Sequence, residues 1–234
     1  MYEPMLDMYL GFRKFGYVGS KALCPVCERS FNKFIPAGKV GICPNCSSGS
    51  RHRAIYLYLQ RRTNFFTDPL KVLHFAPEHC FNKKFRKLPN LEYLSADLGS
   101  PRAMEKIDIT NIPYPDNYFD VTISSHVLEH IPDDMKAMRE LNRVQKKGGW
   151  SIHLAPIDYT RHITYQDDSI NTDELRQKVY GHHDHKRIYG KDYAGRLTMA
   201  GFEVYGMAPQ TFLSNAEMLQ FGVDKDEFIY LCKK

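Results

Sequence analysis

Two cysteine pairs constrain this chain more than any other feature: "CPVC" at Cys24–Cys27 and "CPNC" at Cys43–Cys46, together C-x2-C-x15-C-x2-C. Each C-x2-C turn presents two thiolates to one point, and two such turns complete the tetrahedron of soft ligands that zinc requires. The intervening "ERSFNKFIPAGKVGI" predicts a short hairpin: a strand over 29–34, a turn at Pro36-Ala37-Gly38 and a return over 39–42. With Cys24, Cys27, Cys43 and Cys46 all engaged, no coordination position stays open, so a Zn2+ held here is expected to be structural rather than catalytic.

That zinc-ribbon pattern bears on compartment and charge. Six cysteines, four of them in knuckles, point to metal binding in a reducing compartment rather than to disulfides, and so to a cytoplasmic location. The start, "MYEPMLDMYL", is acidic and aromatic, unlike a secretory signal, and no apolar run reaches the length of a membrane span. No membrane partner is expected. The net charge of +5 is uneven: residues 1–65 hold ten Lys and Arg against three Asp and Glu, leaving 22 against 24 elsewhere. A solubilising surface is the simpler reading of that basic segment, and contact with RNA is the alternative.

After the knuckles, "SSGSRHRAIYLYLQRRT" predicts a helix with Ser50 as its N-cap and Ile55, Tyr58 and Leu59 on one face. Three parts are expected: 1–49 with the ribbon, a linking helix over 50–66, and a main domain over 67–234. In the last, strand and helix patterns alternate. "LKVLHFA", "LEYLSADL", "MEKIDI", "YFDVTISS", "GGWSIHLAPI", a strand after Gly201 and "DEFIYLCKK" read as seven strands. Between the fourth and fifth, Met135, Met138, Leu141 and Val144 recur at helical spacing, with Gly148 placed as the left-handed cap. The pattern predicts an α/β, Rossmann-like fold with a seven-stranded, mostly parallel sheet and helices on both faces. Cys80 reads as a loop residue and Cys232 as a buried strand residue.

Ligands of such sheets bind at the carboxyl ends of the strands. The 74–80 loop, Asp97 and Asp108 all fall there, and Asp97, 23 residues past His74, stands where an acid meets ribose hydroxyls.

Residues 106–157, "KIDITNIPYPDNYFDVTISSHVLEHIPDDMKAMRELNRVQKKGGWSIHLAPI", resemble the middle of a class I S-adenosylmethionine-dependent methyltransferase of the small-molecule-type branch. The ribbon, "RHR" and "GHHDHKRIYGKDYAGRLTMAGFEV" also resemble an uncharacterised group of such enzymes with N-terminal zinc ribbons. The resemblance implies S-adenosylmethionine as cofactor. Asp97 matches the ribose ligand, Asp108 and Ile109 the adenine pair, and Ser125 and His126 the strand end beside the methionine moiety. The first motif departs from the family: His74 replaces its acid, and Ala76, Glu78 and Cys80 stand where glycines would. Ala76-Pro77 can form the tight turn, and Glu78 is expected to accept from the cofactor's ammonium, with the amides of the first helix meeting its carboxylate.

His126, beside the cofactor, and His185, next to Asp184, are the candidate bases. Glu129 and His130 read as packing and capping groups. Tyr165, Gln166, His182, His183 and Arg187 are the candidate acceptor-binding residues, Arg187 for an anionic group. A second metal in "GHHDH" is not expected, since ligands one residue apart do not easily converge. The reading is a methyltransferase acting on O or N of a small-molecule or glycan acceptor. The alternatives are an RNA methyltransferase and a cofactor-free binding module.

Overall fold

In the computed structural model, which describes residues 13–234, the first cysteine knuckle is itself the hairpin turn. Strand β1 (Val18–Cys24) pairs antiparallel with β2 (Arg29–Phe31), Cys24 lying opposite Arg29. Glu28, at φ 58°, closes the turn by donating its N–H to Cys24 O at 2.8 Å. The expected strand over 29–34 is therefore shorter, and its partner precedes the knuckle. The expected return over 39–42 is reduced to one bridge, Ile35 to Ile42. Gly41 explains this: at φ 74° its missing Cβ would stand 2.6 Å from Ile35 O, so 35–42 closes as a tight loop.

Helix α1 (Ser50–Arg62) is shorter than the expected 50–66 and begins one residue earlier in its capping. Gly49 is the N-cap, its N–H donating to His52 Nδ1 at 2.9 Å. Arg53 to Leu59 are buried without interruption, so the helix is enclosed rather than striped. Arg53 is fully buried, with its guanidinium over the Phe34 ring and donating to Gly41 O (2.9 Å), Gly222 O (2.6 Å) and Ser48 O.

Two compact units are present, and neither is continuous in sequence. The first takes the chain up to Asp68, then 78–90 and 207–229; the second takes 69–77, 91–206 and 230–234. Segments 78–90 and 207–229, expected within a 67–234 domain, belong with the ribbon. The first unit includes α2 (His79–Phe85), which buries Cys80, so that cysteine lies on a helix rather than in a loop.

The second unit is built on seven strands: β3 (Leu70–Phe75), β4 (Leu91–Asp97), β5 (Glu105–Lys106), β6 (Phe119–Ser125), β7 (Gln145–Leu154), β8 (Glu203–Met207) and β9 (Ile229–Lys233). Their order is β5-β4-β3-β6-β7-β9-β8. Pairings from β5 through β7 are parallel, and β9 runs antiparallel to β7. This is the predicted Rossmann-like, mostly parallel sheet, and its strand order reverses between β3 and β6.

Helix α3 (Asp134–Val144) buries Ala137, Met138, Leu141 and Val144 in the core with Leu73, Phe75 and Phe119. It stops at Val144, and Gly148 (φ 76°) lies inside β7 rather than capping the helix. Close approach explains the glycine that follows, since a Cβ on Gly149 would meet Asp120 O at 2.7 Å. Two unforeseen helices complete the fold, α4 (Asp173–Tyr180) and, past α5 (Tyr193–Met199), α6 (Asn215–Phe221). Among the described residues no helix is long and apolar enough to cross a membrane.

The strands carry buried polar pairs. His74, fully buried, meets Tyr93 Oη at 2.9 Å, and His153, fully buried, meets Ser124 Oγ at 2.8 Å. Burial holds the His153 imidazole down at about 3 from its ordinary 6.5. The folded state therefore refuses a proton that the unfolded chain accepts between those two values. Stability from this residue is complete above about pH 6.5 and declines by about 1.4 kcal/mol per unit as pH falls toward 3. Urea unfolding across that range should show the slope, and His153→Gln should flatten it.

Candidate functional site

Where the strand order reverses, the carboxyl ends of β3, β4 and β6 and the segments after them enclose a cavity of ≈ 370 Å³. Its walls are Phe75 and Ala76, Asp97 and Leu98, Ile107 to Ile109, His126 and Val127, His130 and Ile131, and Asp184.

Ala76 occupies the left-handed region at φ 48° while its N–H donates to Ala96 O at 2.9 Å. The backbone thus takes a glycine-like turn without a glycine, at a cost of about 1–2 kcal/mol. Unfolding midpoints should show Ala76→Gly neutral to slightly stabilising and Ala76→Val, branched at positive φ, losing about 2 kcal/mol.

Asp97 caps its own turn, with Oδ1 accepting from Gly99 N–H (2.7 Å) and Ser100 N–H (2.6 Å). Asp108 does the same, with Oδ1 accepting from Thr110 N–H (2.8 Å) and Oγ1 (2.9 Å). Each carboxylate is fixed by one oxygen and offers Oδ2 to a ligand. Between them Ile107 and Ile109 are buried apolar wall. Two oriented carboxylates over an apolar slot suit a nucleoside, whose hydroxyls and amino group donate while its base stays desolvated.

The second strained residue of the cavity is His126, at φ 57° with its N–H donating to Leu154 O (2.9 Å). Its Nδ1 lies 3.4 Å from Glu129 Oε1, and Glu129 is only 1% exposed. The same carboxylate oxygen lies 3.9 Å from His130 Nε2, while His130 Nδ1 lies 2.9 Å from Asp184 Oδ1. Burial lowers the His130 imidazole, against the pull of Asp184.

Of the cofactor residues expected from sequence, the structure brings Ala76, Asp97, Asp108 and Ile109 to this cavity, together with the candidate base His126. Three others lie elsewhere. His74 is in the core on Tyr93. Ser125 is buried and does not line the cavity. Glu78 is in the first unit, its carboxylate 3.6 Å from His52 Nε2. The helix after it, α2, spans seven residues and lies in the first unit as well.

The acceptor-side expectations need more correction. Arg187 is 1% exposed, and its guanidinium is used up on Leu128 O (2.8 Å), Ile131 O (2.6 Å), Pro132 O (2.7 Å) and Gln166 Oε1 (2.9 Å). It binds protein, not an anionic substrate, and Gln166 orients it. Tyr165 pairs its backbone with Ile188 and its ring with Tyr180. His183 stacks on His182 at 4.5 Å. His185 does not line the cavity and packs against His130, ring centroids 4.8 Å apart. Phe75, Leu98, Ile107, Val127, His130, Ile131 and Asp184 also line the cavity and are not among the residues expected from sequence. His130 and Asp184 come from distant segments, and only Arg187, which joins those segments, signals that they meet.

In the first unit the sulfurs of Cys24, Cys27, Cys43 and Cys46 lie within 4.8 Å of one another. Cys24–Cys46 and Cys27–Cys43 are each 3.6 Å apart. Tetrahedral zinc with Zn–S bonds of about 2.3 Å sets its sulfurs about 3.8 Å apart, so the donor set fits that ion. Asn45 and Cys46 direct their N–H groups at Cys43 Sγ (3.4 and 3.5 Å), which stabilises a thiolate.

Residues 80–153 match the family model described as a methyltransferase domain. Ajmaline N-methyltransferase of Rauvolfia serpentina is 35% identical over 69 residues, 30% of this chain and 23% of the relative. An uncharacterized methyltransferase of Schizosaccharomyces pombe is 45% identical over 80 residues, 34% of this chain and 26% of that protein. The chain thus spans about a quarter of the length of these curated relatives. Among solved structures, an S-adenosylmethionine-dependent methyltransferase from Mesorhizobium loti superimposes with a TM-score of 0.52 at 15% identity, covering 77% of this chain and 98% of the other. That likeness speaks to fold alone. The matched segment runs from α2 through most of β7 and carries the Asp97, Asp108 and His126 walls of the cavity. With the sheet order around them, the chain has the class I, Rossmann-like methyltransferase fold and matches the methyltransferase-domain model over residues 80–153.

Proposed function

We propose that the protein is an S-adenosylmethionine-dependent methyltransferase acting on an O or N atom of a small-molecule or glycan acceptor. The observation that carries this reading is the cavity at the strand-order reversal, with Asp97 and Asp108 each presenting a free carboxylate oxygen beside apolar walls. Asp97 receives the ribose hydroxyls, and Asp108 the adenine amino group, with Ile107 and Ile109 against the ring. The cofactor, when bound, supplies an electrophilic methyl group. The chain's task is then to hold the acceptor in line and, where the acceptor is a hydroxyl, to take its proton. His126 is placed for that: Glu129 faces Nδ1, which leaves Nε2 as the accepting nitrogen. The four-cysteine cluster holds a structural Zn2+ and takes no part in transfer.

A second reading has one observation in its favour. A cleft of ≈ 430 Å³ in the first unit is lined by Lys14, Lys83, Lys84 and Lys87 beside Cys27 and Cys46. Lys84 bonds Val26 O and Glu28, and together the four lysines give the cleft a basic rim suited to RNA phosphates. Affinity for RNA that falls steeply with salt would favour an RNA acceptor. Calorimetric titration with S-adenosylhomocysteine tests the main reading. A saturable heat is expected, and no heat at millimolar ligand would overturn it in favour of a cofactor-free binding module.

A further inference from the structure

The turn Leu128–His130 and the loop after α4 are joined by several hydrogen bonds to backbone carbonyls. Lys186 N–H donates to Glu129 O at 2.8 Å, and Arg187 bonds the carbonyls of Leu128, Ile131 and Pro132. Gly181, in the left-handed region at φ 79°, ends α4 and turns the chain into "HHDH". The result is a fixed junction that gathers three imidazoles. Ring nitrogens of His130, His182 and His185 all lie within 4.8 Å of one another. Asp184 Oδ1 lies 2.9 Å from His130 Nδ1 and also contacts His182 Nδ1.

Histidines two and three apart in sequence do not converge on their own. Here His130 arrives from another segment and supplies the missing direction. We propose that His130, His182 and His185, with Asp184, form a second metal site that takes a divalent transition ion of the Zn2+, Co2+ or Ni2+ class.

Two features argue for a cation here rather than for a chance cluster. An N3O donor set suits these borderline ions, and bonds of about 2.1 Å set donors about 3.4 Å apart, which the ring nitrogens, now within 4.8 Å, reach by closing in while Asp184, 2.9 Å from His130 Nδ1, draws back slightly. Glu129, enclosed behind the turn, stands 3.9 Å from His130 Nε2, a buried carboxylate behind the ring whose Nδ1 faces Asp184.

His130 and Asp184 also line the main cavity, so the ion would face it, and an oxygen of the acceptor would enter as a fifth ligand. That last assignment rests on the methyltransferase reading; the metal site does not.

The test uses the full-length chain, stripped of metal, reloaded with Co2+ and dialysed. Two equivalents of cobalt are expected, one giving thiolate charge-transfer bands and one without them. His182→Ala, whose side chain is about half exposed, should fold normally, lose one equivalent and keep the thiolate bands. Glu129→Gln should retain the site with affinity for Co2+ reduced about 10- to 100-fold. One equivalent in the unmodified chain, or two retained in His182→Ala, would overturn the proposal. S-adenosylhomocysteine titrations of the metal-free and reloaded chain separate the two readings. Two cobalt equivalents without nucleoside binding would leave the metal site standing and remove the transferase.

Discussion

Cys24→Ser should release one metal equivalent and abolish cooperative unfolding of the first unit. Cys24 is fully buried, its sulfur 3.6 Å from Cys46 Sγ and 3.2 Å from Ser48 Oγ. Apparent binding energies for structural zinc are about 10–16 kcal/mol, as large as the whole stability of a typical domain at about 5–15 kcal/mol. Removing one ligand of four forfeits most of that and leaves three crowded sulfurs without a counter-charge. The expected thermal scan therefore shows a lost or broadened transition, and metal analysis shows one equivalent fewer. A strong chelator should reproduce the effect in the unmodified chain. Cys80→Ser, on α2 and outside the cluster, should keep its metal. If Cys24→Ser retains both metal and melting temperature, the ribbon assignment is wrong.

Asp97→Ala is expected to weaken S-adenosylhomocysteine binding about 100-fold or more. Two hydroxyl donors to one carboxylate, each contributing about 1.5–3 kcal/mol, give an effect of that order. Alanine also removes the Oδ1 that holds Gly99 and Ser100, so turn collapse competes as an explanation. Asp97→Asn separates the two. Its Oδ1 still accepts from both amides, so the turn survives, while Nδ2 replaces the oxygen offered to the ribose. A loss nearly as large in the amide variant assigns the effect to recognition; restored affinity assigns it to the turn. Retention of full affinity by Asp97→Ala would remove Asp97 from the site.

What could be read from the sequence follows from how local each signal is. β3, β4 and β6 are buried runs bounded by turns, and they fold where their apolar residues lie. The four cysteines define their cluster by spacing alone. Asp97 and Asp108 were legible because a strand ends at one and an acid-plus-isoleucine pair follows the next. Arg187 was misread for a physical reason: in a polar loop a guanidinium looks available, yet here carbonyls of a turn far along the chain consume it. Glu78 was assigned by the alternation of the glycines it replaces, whereas its contact with His52 depends on which unit segment 78–90 joins. His130, read as a packing or capping group, gave no signal of a site by itself, because His182, Asp184 and His185 follow only after α3, β7 and α4.

The discontinuity of the first unit has a consequence for synthesis on the ribosome. Arg53 bonds Gly222, 169 residues later, and Ser50 Oγ accepts from Asp224 N–H. The cysteine knuckles can capture their ion as soon as residue 46 has emerged, but the buried guanidinium beside them waits for another 169 residues before its last acceptor appears. A nascent or truncated polypeptide ending before Gly222 would present that cation half-solvated. Such intermediates should be the species that chaperones hold and proteases cut.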